Sequence, residues 1–321
     1  MRSSPVKTRV LLIGGTGRSG STLLERIVGQ VGGFFAAGEL IHIWERSFRE
    51  NYLCGCGESF ADCPFWKAVV QAAFGDSGNV DIPAIISLQR SVSRQRHLPR
   101  LVLPSLRNRQ HEISLARFRE LLGRLYRAIQ QVSGAAVIID SSKSPVYGLI
   151  LDGVENIDLY IVHIVRDSRA VAYSWTKKKL MPTSKGRSTY QSRYSPAKGA
   201  LIWLWWNLLL EGFRRRRGRY LRMRYEDLVR RPRDSISRML SLLGTPQTGS
   251  LQWLDDDAIE LRTNHTVSGN PMRFARGKVR LKLDDEWRLR MRKSHKWLVT
   301  AVTGPLLVRY GYIWRHDCSA T

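Results

Sequence analysis

Acid is what this chain is short of: 27 Asp and Glu stand against 52 Lys and Arg, a formal charge of +25 over 321 residues. Lysine is scarce as well, since 40 of the cations are Arg and 12 are Lys. Such a field suits anionic partners such as nucleic acid, a membrane surface or a multiply charged nucleotide. The Arg are scattered, and the densest run, Arg214 to Arg219, is one helix end wide. Long apolar tracts are missing too. Leu201 to Leu210, the most apolar helical stretch, falls far short of the roughly 20 residues a bilayer span requires and reads as a buried helix. Peripheral membrane contact by its Trp residues and the following Arg stays open. The first seven residues lead straight into an apolar β-like run, leaving no room for a secretory leader, so the expected address is cytoplasmic.

Cysteine is limited to four, three of them crowded as Cys54, Cys56 and Cys63. Zinc bound by these three with Cys318 or His42 is one reading, but the spacing matches no standard zinc pattern. Reduced structural thiols are the reading adopted, and no metal is assigned.

Arg9 to Ile13 is a short apolar run that stops at two glycines, as a buried parallel strand does. Leu23, Leu24, Ile27, Val28 and Val31 then fall at helical spacing, and Phe34 to Ala37 resembles a second strand. Residues 40–135 lack clear strand patterns and predict a mostly helical insertion that contributes to an acceptor site, with one amphipathic helix over Leu115 to Gln131. Ala135 to Asp140, Leu159 to Val165 and Tyr220 to Tyr225 read as further strands. Strands alternating with helices predict an α/β three-layer sandwich, P-loop-like, with a central parallel sheet and helices on both faces. No internal repeat or long linker appears, so residues 1–321 are expected to form a single domain.

Gly14 to Thr22 follows the first strand. Glycines let the backbone N–H groups approach an anion, and the next helix adds its positive end. Gly15 and Gly20 have the kinase-type spacing, but Ser21 stands where the triphosphate-binding Lys belongs, and the loop carries Arg18 instead. Arg18-Ser19-Gly20-Ser21-Thr22 resembles the 5′-phosphosulfate loop of sulfotransferases that use 3′-phosphoadenosine-5′-phosphosulfate, in particular their carbohydrate and tyrosylprotein branches. Arg166, followed eight residues on by Ser174, is similar to that family's 3′-phosphate segment. Physically, Arg166 ends a strand, where open α/β sheets bind ligands, and its guanidinium can chelate phosphate.

Asn264 to Lys278 resembles the family's nucleotide-closing loop, although Arg276-Gly277-Lys278 departs from the Arg-Lys-Gly order of cytosolic members. Tyr225-Glu226-Asp227-Leu228 looks like the strand-end motif whose Tyr approaches adenine. The resemblance runs from Leu11 to Trp287. It implies a donor site of Gly17, Arg18, Ser19, Gly20, Ser21, Thr22, Arg166, Ser174, Tyr225, Ser268, Asn270, Arg273, Arg276 and Lys278. It implies a sulfuryl transfer from that donor to a hydroxyl of a small molecule, sugar or glycolipid, with no metal required.

Such a transfer needs a base and cations. Glu39 follows the second strand, as the catalytic Glu of the tyrosylprotein and glycolipid-type enzymes is proposed to do, and is the expected base. Lys143 and Arg18 would neutralise the leaving oxygen. Asp140 and His42 stay open as alternative bases. Trp44, Tyr52, Phe65 and Trp66 lie beside Glu39 in the insertion, and their aromatic faces suit sugars, phenols and lipids. The rival readings are a P-loop kinase acting on a small molecule and a basic nucleic-acid-binding protein. The second lacks any standard binding motif, and nucleic acid is not an expected partner.

Overall fold

The computed structural model describes residues 7–75, 80–215, 218–245, 251, 253–255 and 257–313. Cys318, together with Arg216 and Arg217 of the Arg run, lies outside the described residues. Five parallel strands make the central sheet: β1 (Thr8–Gly14), β2 (Phe34–Gly38), β3 (Val137–Lys143), β4 (Ile157–Val165) and β7 (Tyr220–Arg224), in the order β2-β3-β1-β4-β7. Two antiparallel pairs lie apart from it, β5 (Leu180–Ser184) with β6 (Arg187–Tyr190) and β8 (Ala258–Leu261) with β9 (Gly277–Arg280).

β1 is central because its residues alternate between two apolar layers. Val10 and Leu12 join one core cluster, Leu11 and Ile13 the other, and all four have no exposed surface. Burying each such side chain contributes roughly 1.5–3 kcal/mol. A strand apolar on both faces can sit only inside a sheet covered on both sides.

Helices α1 (Ser21–Val28), α9 (Tyr225–Arg230) and α10 (Pro232–Leu242) supply residues to the Leu11 layer. The Val10 layer is filled from α2 (Pro64–Phe74), α3 (Ile82–Ser93), α4 (Leu98–Val102), α5 (Arg109–Ser133) and α6 (Pro145–Asp152). Most of the expected insertion is thus helical. Beyond β4 come α7 (Ser168–Thr176), α8 (Pro196–Glu211), α11 (Trp287–Arg290) and α12 (Lys293–Arg309).

The apolar stretch of α8 is only half buried, contrary to expectation. Trp203, Asn207 and Leu210 are enclosed, but Leu201, Trp205 and Leu208 face outward. No helix among the described residues is long and apolar enough to cross a membrane.

Candidate functional site

The carboxyl ends of β1, β2, β3 and β4 deliver the loops that the sequence singled out. At the end of β1 the chain turns through Gly15, Arg18 and Gly20, all with positive φ, into α1. Glycine is required at three points of this turn, the first being Gly15, where a Cβ would lie 2.6 Å from the Ile164 carbonyl oxygen. A Cβ on Gly17 would lie 2.5 Å from the Trp175 ring, and one on Gly20 would lie 2.3 Å from Tyr225. Gly20 caps α1 without any side-chain hydrogen bond, so the first amides of the helix are left for another acceptor.

Among the described residues, four non-glycine residues adopt positive φ: Arg18, Asn51, Lys143 and Ser268. Three of them are predicted site residues. Such backbone strain costs on the order of 1–3 kcal/mol and concentrates where a site demands it.

Glu39 follows β2. Its amide donates to the carbonyl of Val267 (2.8 Å), and the Val267 amide donates to Ala37 (2.9 Å), so the C-terminal segment forms a one-residue parallel bridge to Gly38. A Cβ on Gly38 would lie 2.0 Å from the Val267 carbonyl oxygen. Lys143, at the end of β3, donates from Nζ to Glu39 Oε1 and to the carbonyl of Ser141 (3.0 Å). His42 Nε2 lies 3.6 Å and Arg46 Nη1 3.9 Å from Glu39 Oε2. Burial pushes the Glu39 carboxyl up, but Lys143, His42 and Arg46 outweigh it and hold the group at about 2. Burial, and then Arg46, lower His42 to about 4, leaving a neutral imidazole at pH 7.

Asp140, the alternative base, is enclosed within β3. It accepts from Tyr126 Oη and from the Ser142 amide (2.8 Å) and has no exposed surface, and burial raises it to about 6. Its neighbour Glu25, on α1, escaped sequence reading. The Gly38 amide and Ser141 Oγ each donate to its carboxyl at 2.7 Å, and burial raises it to about 7.

Arg166 and Ser174 are both buried, Arg166 at the end of β4 and Ser174 on α7. The Arg166 guanidinium lies 4.7 Å from the Tyr225 ring centroid, donates to the carbonyl of Arg18 (3.2 Å), and pairs with Asp284 Oδ2 at 3.1 Å. The Arg18 guanidinium lies 4.9 Å from the ring centroid of Trp175. Burial lowers Lys179, and Arg18 lowers it further, so this corner is crowded with positive charge. Sequence reading missed Trp175, Lys179 and Asp284, although Trp175 directly follows Ser174.

Buried polar atoms without a hydrogen-bond partner collect here: Thr16 Oγ1, Ser19 Oγ, Arg18 Nε and Nη2, Arg166 Nε, Trp175 Nε1 and Ser268 Oγ. An unsatisfied buried polar group costs about 1–3 kcal/mol, and these come from three separated segments, the loop after β1, the stretch from Arg166 to Trp175, and Ser268. Three of them belong to the guanidinium groups of Arg18 and Arg166, so unpartnered donors and positive charge occur in the same segments.

The C-terminal cations make no contact with Arg166 among the described residues, and each has a partner of its own. Arg273 is buried with its guanidinium on the carbonyls of Thr266 (2.8 Å) and Leu53 (2.6 Å), Arg276 donates to Cys56 (2.6 Å), and the exposed Lys278 pairs with Asp255 (3.5 Å). The pairing of β9 with β8 and the short helical turn at Pro271–Phe274 set these directions. Asn270 caps that turn by accepting from the Met272 amide (3.2 Å). Nor do Trp44 and Trp66 offer faces to an acceptor: both are wholly buried, packed against Phe48 and Phe74 in one case and Phe60 and Phe65 in the other.

A family model described as the sulfotransferase family matches residues 11–249. The chain belongs to the sulfotransferase family. Like its family it is a transferase, and the loop after β1 and the Arg166 segment fall within the matched residues. Carbohydrate sulfotransferase 3 of Mus musculus is 30% identical over 104 residues, which is 32% of this sulfotransferase and 21% of that protein. The sulfotransferase domain from the curacin biosynthetic pathway matches with a TM-score of 0.50 at 16% identity, covering 94% of this chain and 98% of that one, and shares its fold. The sulfotransferase domain from the Synechococcus PCC 7002 olefin synthase is 22% identical, with 95% and 96% covered and a TM-score of 0.48.

Proposed function

We propose that this sulfotransferase moves the sulfuryl group of 3′-phosphoadenosine-5′-phosphosulfate to a hydroxyl of a carbohydrate or glycolipid. The observation that carries the donor is the set of unpartnered buried polar atoms on Thr16, Arg18, Ser19, Arg166, Trp175 and Ser268. A ligand with anionic groups at two ends supplies acceptors to the phosphate loop and to Arg166 at once. Gly17, Ser19, Gly20, Ser21 and Thr22 hold the 5′ end with their amides and hydroxyls. Arg166 and Ser174 take the 3′-phosphate, Tyr225 faces the adenine, and the Ser268 to Asn270 loop covers the donor.

In the transfer, the acceptor oxygen forms a bond to sulfur as the bond from sulfur to the bridging phosphate oxygen breaks. Glu39 takes the hydroxyl proton, and Lys143 with Arg18 neutralises the departing oxygen. A base held at about 2 is a weak one at neutral pH, so the pair must part for transfer. When Lys143 turns to the bridging oxygen, Glu39 loses its strongest cation and its basicity rises. The acceptor class rests on likeness to the mouse relative named for carbohydrate.

Calorimetric titration of the full chain with adenosine 3′,5′-bisphosphate and with Mg-ATP tests the donor. Tight binding of the bisphosphate is expected. Preference for Mg-ATP would turn the reading to a kinase, and indifference to the 3′-phosphate would overturn the role of Arg166.

A further inference from the structure

Three cysteines and one histidine meet behind the Glu39 loop from two segments far apart in sequence. Cys54 and Cys56 lie between β2 and α2, and Cys63 immediately precedes α2. His265 belongs to the C-terminal segment that reaches Gly38 through Val267. The sulfurs of Cys56 and Cys63 are 3.8 Å apart, and His265 Nδ1 lies 3.7 Å from Cys54 Sγ and 3.3 Å from Cys63 Sγ. All four atoms lie within 4.8 Å of one another.

Three of the six separations are close to the edges of a metal tetrahedron. With Zn–S near 2.3 Å and Zn–N near 2.0 Å, sulfurs stand about 3.8 Å apart, and sulfur and nitrogen about 3.5 Å. A disulfide would bring two sulfurs to about 2.05 Å, which the Cys56 to Cys63 distance does not approach.

The surroundings are built to hold the four side chains in place. Phe65 stacks on the His265 ring at 5.1 Å, and Trp66 Nε1 donates to the His265 carbonyl at 2.8 Å. The Gly55 amide donates to Thr266 (2.9 Å), and a Cβ on Gly55 would lie 2.0 Å from Asn264 Oδ1, so only glycine fits between the two cysteines. Arg273 adds an independent observation. It is 3% exposed and donates to the carbonyls of Thr266 and Leu53, yet forms no ion pair with a carboxylate among the described residues. Three thiolates, one neutral imidazole and Zn²⁺ carry a single net negative charge, which would compensate that buried cation.

We propose that Cys54, Cys56, Cys63 and His265 form a structural zinc site. With four protein ligands it is closed, as structural sites are, and takes no part in the transfer itself. Its effect is to fasten the start of the helical insertion to the segment that carries Val267 and Ser268. His265 takes the fourth position considered in the sequence for His42 or Cys318.

The test is metal content. The full chain, purified under reducing conditions without chelator from cells supplied with zinc, is expected to hold about one zinc per chain by mass spectrometry. Replacement by Co²⁺ should give the intense visible bands of a tetrahedral thiolate site, and chelation should lower Tm. Cys56→Ser with Cys63→Ser is expected to lose the metal. If that variant does not fold, alkylation of the native chain decides: the three thiols should be protected until a chelator is added. A reduced native chain that takes up neither Zn²⁺ nor Co²⁺ would overturn the proposal. So would free alkylation of the three thiols in the zinc-loaded chain, or a folded double variant that keeps its zinc.

Discussion

Lys143 Nζ is hydrogen-bonded to Glu39 Oε1, and the two residues come from the ends of adjacent parallel strands, β3 and β2. The residue assigned to take a proton and the one assigned to neutralise the departing oxygen therefore occupy each other. Glu39→Gln keeps the shape of this contact and removes the base. A fall in kcat of roughly 10²–10⁴-fold is expected, with affinity for adenosine 3′,5′-bisphosphate unchanged in calorimetry. Undiminished turnover would remove Glu39 from the reaction.

Lys143→Met has two readable effects. Turnover should drop by about 10²–10³-fold. The Glu39 carboxyl, held at about 2 against its burial chiefly by Lys143, should rise. Because the base works ionised, the acidic limb of kcat/KM moves to higher pH in the variant. A limb that stays in place in a folded variant would show that Lys143 does not tune Glu39.

Arg166→Ala removes the guanidinium that lies over Tyr225. A hydrogen bond to a charged group is worth about 1.5–3 kcal/mol, so affinity for adenosine 3′,5′-bisphosphate should fall by roughly 10–100-fold. Affinity for adenosine 5′-monophosphate should hardly move. Equal losses for both nucleotides would place Arg166 away from the 3′ end.

Glu25 links pH to stability. Its folded-state carboxyl is raised by burial to about 7 from 4.5, so between those values the folded chain binds more protons than the unfolded one. Its contribution is therefore present at low pH and lost as pH rises through about 7. Glu25→Gln should flatten this part of the profile, gaining about 1–3 kcal/mol relative to the native chain near pH 8. Urea unfolding from about pH 5 to about pH 8 measures it, and parallel profiles would refute the assignment.

Gly38→Ala drives a methyl group into the Val267 carbonyl oxygen at a left-handed position. The loss expected is about 2–4 kcal/mol, read as a lowered urea midpoint, together with weakened nucleotide binding. Gly134→Ala, also left-handed but with open space around it, serves as the control for strain without a clash.

The sheet was legible because its strands are short apolar runs that end at glycine or at a polar residue, and that pattern follows from burial on both faces. The placement of Gly17, Arg18, Arg166, Glu39 and Lys143 at strand ends was legible for a related reason: each stands at or just after such a run. Trp44 and Trp66 were misjudged because aromatic composition does not reveal which way a ring points. The partners of Arg273 could not be foreseen, because the carbonyls of Leu53 and Thr266 leave no trace in side-chain pattern. Glu25 looks like an ordinary helical acid until Gly38 and Ser141 are brought against it. His265 could not be joined to the cysteines by spacing, since the two segments meet only through the β-bridge at Val267.

That bridge also bears on the order of events during synthesis. The backbone of Glu39 is held by Val267, whose codon is translated long after its own, and all four strands that deliver the site loops are made before Val267 emerges. Contacts of such separation form late and slowly. A nascent chain can therefore complete its sheet while Glu39, the proposed proton acceptor, is still untethered.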